Sequence, residues 1–350
     1  MTAISQIPQS FKDLPDYDDL PDKARFWQWG PAGSETEGLG ILNLQTPELV
    51  ARAAAQEIRT GDRTGLGWQF HLLDYPGFKR REFGHKIKWS TYPWSLDDEY
   101  ELNPQQSSQW DGFRHHSQQL DRTKTRDEQA GAENADQVAV WFGGTTPSEI
   151  ISEGVDGLKS PRIGIHFWAN KGLSGRGVLL DYATWAEEQG IKYSTFDSHA
   201  IAHADLLKVA ERFNVKFEPG DLLFVRIGLT KEWLSHDAKW KRDIQVRTQA
   251  RYAGLAQSTE LMRWIWNNHF TALASDSVSF EVYPNPIQDP ALSVHQTCLA
   301  GWGVPIGELF DLDALADLCK RHGRYSFFVT SMPFNAVGGV SSPPNAMAIF

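Results

Sequence analysis

Glu218-Pro219-Gly220-Asp221-Leu222-Leu223-Phe224-Val225-Arg226-Ile227 runs from a tight turn into an almost unbroken apolar segment, the pattern of a buried strand. Working outward, Gly177-Val178-Leu179-Leu180-Asp181 reads the same way, entered through glycines, and Arg162 to His166 is a third such candidate. Helical spacing appears between them. Thr46 caps a helix that has Pro47 at its first position and should end near Gly61. Tyr182 to Gly190, His203 to Asn214, Thr248 to Asn268 and Leu309 to His322 read as further helices. Ala272 to Phe280, Tyr325 to Thr330 and Ala346 to Phe350 read as strands. Elements of both kinds interleave along the chain, which predicts one α/β domain with a mixed sheet flanked by helices. Residues 1–24 are acidic and punctuated by proline, an N-terminal arm, and residues 25–350 form the domain, opened by Phe26-Trp27-Gln28-Trp29-Gly30. Gly67 to Tyr100 is short, aromatic and strand-like, broken at Pro76-Gly77 and Pro93, and residues 117–136 are charged and Gln-rich, a mobile surface insertion.

The charge balance narrows the partners. With 34 basic against 44 acidic residues the net charge is −10, and no basic run is long enough to track a phosphate backbone, which argues against nucleic acid and anionic membrane. No apolar stretch is long enough to span a bilayer, and Met1 to Ser10 lacks the features of a secretory signal. Two cysteines, Cys298 and Cys319, make no disulfide framework and fit a reducing, cytoplasmic compartment. Fourteen Trp is unusual: indole suits core corners and pocket walls, and the core is the ordinary place for any one of them.

Chemistry concentrates in Gln105-Gln106-Ser107-Ser108-Gln109-Trp110-Asp111-Gly112-Phe113-Arg114-His115-His116. Trp110 and Phe113 are its only large hydrophobes, so it is neither an ordinary core strand nor an amphipathic helix face. A polar surface loop is the plain alternative. Asp111 and His115 stand four apart and can aim at one point. Further on, His295 precedes Glu308 by thirteen residues, and Glu308 sits between Ile306-Gly307 and Leu309-Phe310, a poor place for a solvated acid. It reads as a metal ligand, a general base or a helix cap; His295 alone would read as a satisfied core residue. Together the four residues could hold a divalent ion or activate water. Gly338-Gly339 ahead of Ser341-Ser342-Pro343-Pro344 marks a rigid turn that lets backbone approach a ligand, or simply a turn. A nucleophile elbow, a dinucleotide fingerprint and a P-loop are all missing.

These segments, in this order, resemble the cyclase family that contains bacterial kynurenine formamidase and isatin hydrolase. Trp29-Gly30 with Leu39 to Leu44, the two strand segments quoted above, His295 to Leu315 and Ser342-Pro343 carry the resemblance over nearly the whole chain. It implies a partly barrel-like mixed sheet, a homodimer or homotetramer in which the arm wraps a partner subunit, and a zinc or manganese site. The family's first motif, H-x-G-T-H-x-D-x-P-x-H, falls on Gln105 to His115, so Gln105 and Gln109 stand where metal-binding histidines are expected. Amide oxygen suits manganese better than zinc. The resemblance implies a metal set of Asp111, His295, Glu308, Gln105 and Gln109. His115 is the expected acid/base, aided by Asp111 and Glu308, with Trp110, Phe113, His116 and Ser342 at the substrate. Two functions follow: a hydrolase of an amide, lactam or lactone (or a cyclase-dehydratase) acting on a small aromatic molecule, or a small-molecule-binding protein whose site has lost catalysis.

Overall fold

The structure, a computed structural model, describes residues 8–25, 28–73, 77–78, 80–124, 126–151, 160–287 and 289–350. Phe26, Trp27 and Pro76 lie outside the described residues. Nine strands form one sheet, curled into a half-barrel. The strands that matter for the site are β1 (Arg63–Gly65), β4 (Gln109–Asp111), β5 (Leu173–Asp181), β6 (Leu222–Arg226), β7 (Ala272–Ser275), β8 (Ile306–Glu308), β9 (Ser326–Ser331), β10 (Ser341–Ser342) and β11 (Ala346–Ile349). A separate hairpin, β2 (Gly84–Thr91) and β3 (Ser95–Glu101), stands clear of the sheet with Trp89, Tyr92 and Trp94 exposed.

The sheet order is β1-β11-β9-β5-β6-β7-β8-β4-β10. Its centre, β5 to β8, is parallel, and antiparallel strands flank it on both sides. Strand β6 is buried along its whole length, as its apolar run requires. Helices α1 (Pro47–Glu57), α2 (Tyr182–Glu188), α3 (His203–Arg212), α4 (Thr259–Asn267) and α5 (Asp313–His322) accompany the sheet. The Thr46 side chain caps α1 by accepting from the Leu49 N–H at 3.3 Å.

Several sequence expectations are corrected. Arg162 to His166 is not a strand: Ile163 turns with φ +51°, Gly164 lies against Gly338 where a Cβ would clash, and a short helix begins at His166. The helix expected over Thr248 to Asn268 covers only Thr259–Asn267, because Gly254 pairs with Ala200 and its backbone runs hard against Glu281. The strand over Ala272 to Phe280 ends at Ser275, where Asp276 turns to accept backbone N–H groups of Ile227, Gly228 and Leu229. The last helix starts at Asp313 rather than Leu309, whose φ of +52° is not helical. Within the 117–136 insertion, Gln118 and Gln119 are buried: the Gln118 amide donates to the carbonyls of Ala24 and Gln296. The described part of the arm packs on its own chain, with Leu14, Tyr17 and Leu20 buried and the Trp266 indole donating to the Pro15 carbonyl at 2.8 Å.

Candidate active site

The site is assembled by the pairing of two short strands. Alternation along β4 sends Gln109 and Asp111 to one face and Trp110 to the other. Antiparallel register sets Glu308 opposite Gln109 and Gly307 opposite Trp110. A Cβ on Gly307 would collide with the Phe310 and Trp110 rings, so glycine is required for this approach. At Gly112 the chain turns, with the His115 N–H donating to the Gly112 carbonyl at 2.8 Å, and this brings His115 back beside Asp111. His295 heads a π-helix over Gln296–Trp302, a local distortion that recurs at functional sites.

At the centre, Asp111 is fully buried. Its Oδ1 accepts from the Gln105 amide at 3.0 Å, while Oδ2 has no hydrogen-bond partner and lies 3.9 Å from Nε2 of both His115 and His295. His295 is held at both ring nitrogens, Nδ1 3.0 Å from Glu281 and Nε2 3.0 Å from Glu308. The second Glu308 oxygen accepts from the Gln109 amide at 2.7 Å. The Gln105 amide also donates to His115 Nδ1 at 2.6 Å.

Electrostatics separates the three imidazoles. Burial opposes charge on His295, but Glu281 and Glu308 outweigh it and hold the ring protonated, well above its ordinary range. Burial lowers His115, only partly offset by Asp111, so its ring is neutral at pH 7. Burial and then Arg126 push His116 further down. Glu308 is raised to about 7 by burial and by the neighbouring Asp111, against the pull of His295.

The donor set fits a divalent cation. Asp111, His115 and His295 each offer a ligand atom within 4.8 Å of the others, and the unpartnered Asp111 oxygen is an acceptor waiting for a positive partner. This set differs from the one read off the sequence, since His115 joins it and Glu308 is bonded to the His295 nitrogen that faces Asp111. Gln105 and Gln109 present N–H donors to Asp111 and Glu308, although Gln109 Oε1 remains a buried acceptor without a partner.

A cavity of about 400 Å³ opens onto His115, His116, His295 and Glu308. Three of the expected substrate contacts are absent from its lining. Trp110 faces the core, edge-on to Phe310 with its indole N–H donated to Ser331, because alternation along β4 turns it away. Phe113 packs between Phe142 and Trp168, and the Ser342 hydroxyl closes its own turn with the Phe334 N–H. Glu281 was not singled out from the sequence, yet an acid flanked by Phe280 and Val282 carries the same signal as Glu308 between its apolar neighbours.

A curled mixed sheet thus carries an Asp-His-His cluster beside a cavity. The family model described as "Putative cyclase" matches residues 74–282, more than half of the chain, and the chain belongs to that family. Among solved structures it is similar to a novel cyclase, with 24% identity and a TM-score of 0.73 over 91% of this chain and 96% of that one. It is also similar to isatin hydrolase A from Labrenzia aggregata bound to benzyl benzoate, with 12% identity and a TM-score of 0.53 over 86% of this chain and 97% of that one. At these identities the likeness concerns the fold. No curated protein matches the chain. Among the described residues no helix is long and apolar enough to cross a membrane.

Proposed function

We propose that the protein hydrolyses an amide, lactam or lactone of a small aromatic molecule, or closes the same ring with loss of water. The observation that carries this reading is the unpartnered Asp111 oxygen, 3.9 Å from two imidazoles and beside a cavity of about 400 Å³. Water oxygen bonds to the carbonyl carbon, the C–N or C–O bond breaks, and one water proton passes to the leaving nitrogen or oxygen. His115 is neutral and next to Asp111, so it is suited to take that proton and hand it on. His295 stays protonated between Glu281 and Glu308 and places a positive charge beside Asp111. A divalent ion held by Asp111, His115 and His295 would supply Lewis acidity, and holding it would require His295 to give up the Nε2 proton it shares with Glu308. His115 would then serve as a ligand, and the proton would pass to Glu308, whose raised value suits exchange near neutrality.

A binding protein without catalysis is the second reading, favoured by the Gln105 and Gln109 amides that aim N–H donors into the cluster. One experiment separates the two. The purified protein is analysed for manganese and zinc, then assayed for opening of N-formylkynurenine, isatin and simple aromatic lactones. Turnover lost in Asp111→Asn supports the hydrolase. No turnover of any substrate with either metal supplied, alongside measurable binding, overturns it.

A further inference from the structure

Two guanidinium groups line the cavity with backbone carbonyls, not carboxylates, as their acceptors. Arg80 donates to the Gln105 carbonyl at 2.5 Å, and its Cζ lies 5.2 Å over the Phe78 ring. Arg126 donates to the Ser117 carbonyl at 3.1 Å and rests 3.4 Å from both ring nitrogens of His116. Among the described residues, neither makes an ion pair with a carboxylate.

Several other arginines in this chain are matched by acids, while Arg25 and Arg247, like these two, bond to backbone carbonyls. Arg162 is matched by Glu37 and Glu149, Arg176 by Glu57 and Asp221, and Arg226 by Asp181 and Asp313. Among the described residues Arg114 has no acid but spends its N–H groups on the carbonyls of Ser160, Arg162 and Gly338. The cavity's own buried acids are already engaged, Glu281 with His295 and Glu308 with His295 and Gln109. Each guanidinium carries five N–H donors, so Arg80 and Arg126 both keep donors in reserve. The remaining wall is mixed: Asn285 and the exposed Asp289 lie at it, and an apolar side is made by Val278, Ile287 and the Phe78–Tyr283 pair, whose ring centroids are 5.9 Å apart.

We propose that the cavity selects an aromatic carboxylate, its ring against Phe78 and Tyr283 and its carboxylate held by Arg80 and Arg126. Planar guanidinium groups match a carboxylate's two oxygens, and the aromatic wall takes the ring. As a statement about substrate this rests on the hydrolase reading above; as a statement about binding it does not.

The test is titration calorimetry of the full-length protein at low salt with benzoate and with benzamide, which has nearly the same shape and no charge. Benzoate is expected to bind about 10-fold more tightly. Arg80→Gln and Arg126→Gln should each weaken benzoate by several-fold, roughly the loss of a charged hydrogen bond, and the double variant should bind both compounds alike. Benzoate binding no tighter than benzamide, or a preference that survives the double substitution, overturns the proposal. Turnover supplies the second arm. The ratio of kcat/KM for a lactone bearing a carboxylate to that for its neutral parent should collapse in the double variant. Arginine-dependent benzoate binding without any turnover leaves the anion site standing and removes the hydrolase; turnover indifferent to the carboxylate does the reverse.

Discussion

Off the carboxyl end of β6, Arg226 reaches Asp181 at 2.9 Å and Asp313 at 2.7 Å, while Asp276 takes three backbone N–H groups. At the end of β4, in the same sheet, Asp111 is just as buried but keeps one oxygen without a partner among two imidazoles. Both clusters bring carboxylates and cations out of water, and both lie beside cavities. They differ in what is left unfilled. In the first cluster the carboxylates and the guanidinium satisfy one another, as expected of groups that fasten strands and helices together. In the second, acceptor capacity is held in reserve at a cost in stability, which is reasonable only where a substrate, water or cation completes it. Burial of charge therefore does not mark the site; incomplete pairing does.

The sharpest way to break this comparison is to disturb each cluster and measure unfolding in urea with a chelator present. Arg226→Met leaves Asp181 buried without its cation and should cost about 3–5 kcal/mol. Asp111→Asn, which removes a charge that is incompletely paired, should unfold at or above the wild-type midpoint. If the two variants lose similar stability, the distinction between a fastening cluster and a reserved one is wrong. Next in size is His115→Ala. Turnover should fall by about 10²-fold or more with the urea midpoint unchanged, since its ring is the neutral imidazole nearest Asp111. Full activity in that variant would transfer the proton role to His116 or Glu308.

Much of the fold was legible because burial on both faces writes itself as an unbroken apolar run, as in Leu222 to Val225, and because caps such as Thr46-Pro47 are local. What failed depends on distant contacts. Ile163 and Ile165 are buried and look strand-like, but the chain turns there because Gly164 must pass Gly338. The site was legible in its acids and imidazoles, since polar groups with no solvated face stand out. Its geometry was not, because Gln109 and Glu308 meet across 199 residues through strand register. Trp110 and Phe113 were misplaced for a simple reason: proximity in sequence to Asp111 says nothing about face, and alternation turns Trp110 inward. Arg80 and Arg126 were invisible, because a lone arginine in an irregular segment or at the head of a one-turn helix leaves no periodic trace.

The smallest expected effect tests what the amides do in the reserved cluster. Gln105 places its amide nitrogen 3.0 Å from Asp111 and 2.6 Å from His115, and Gln109 places its own 2.7 Å from Glu308. Both are therefore within one side chain's reach of the cluster that would hold a cation, yet as donors they compete with it. An imidazole at each position would exchange an N–H donor for a nitrogen lone pair and add two good zinc ligands to Asp111 and His295. Gln105→His with Gln109→His should accordingly raise zinc affinity by about 10-fold or more, in the range seen when a ligand's environment is improved. Titration calorimetry with zinc alone reads this without reference to turnover. An unchanged affinity, with the double variant folded, would mean that the two side chains do not converge on the cation. The reserve at Asp111 would then belong to water or substrate rather than to a metal.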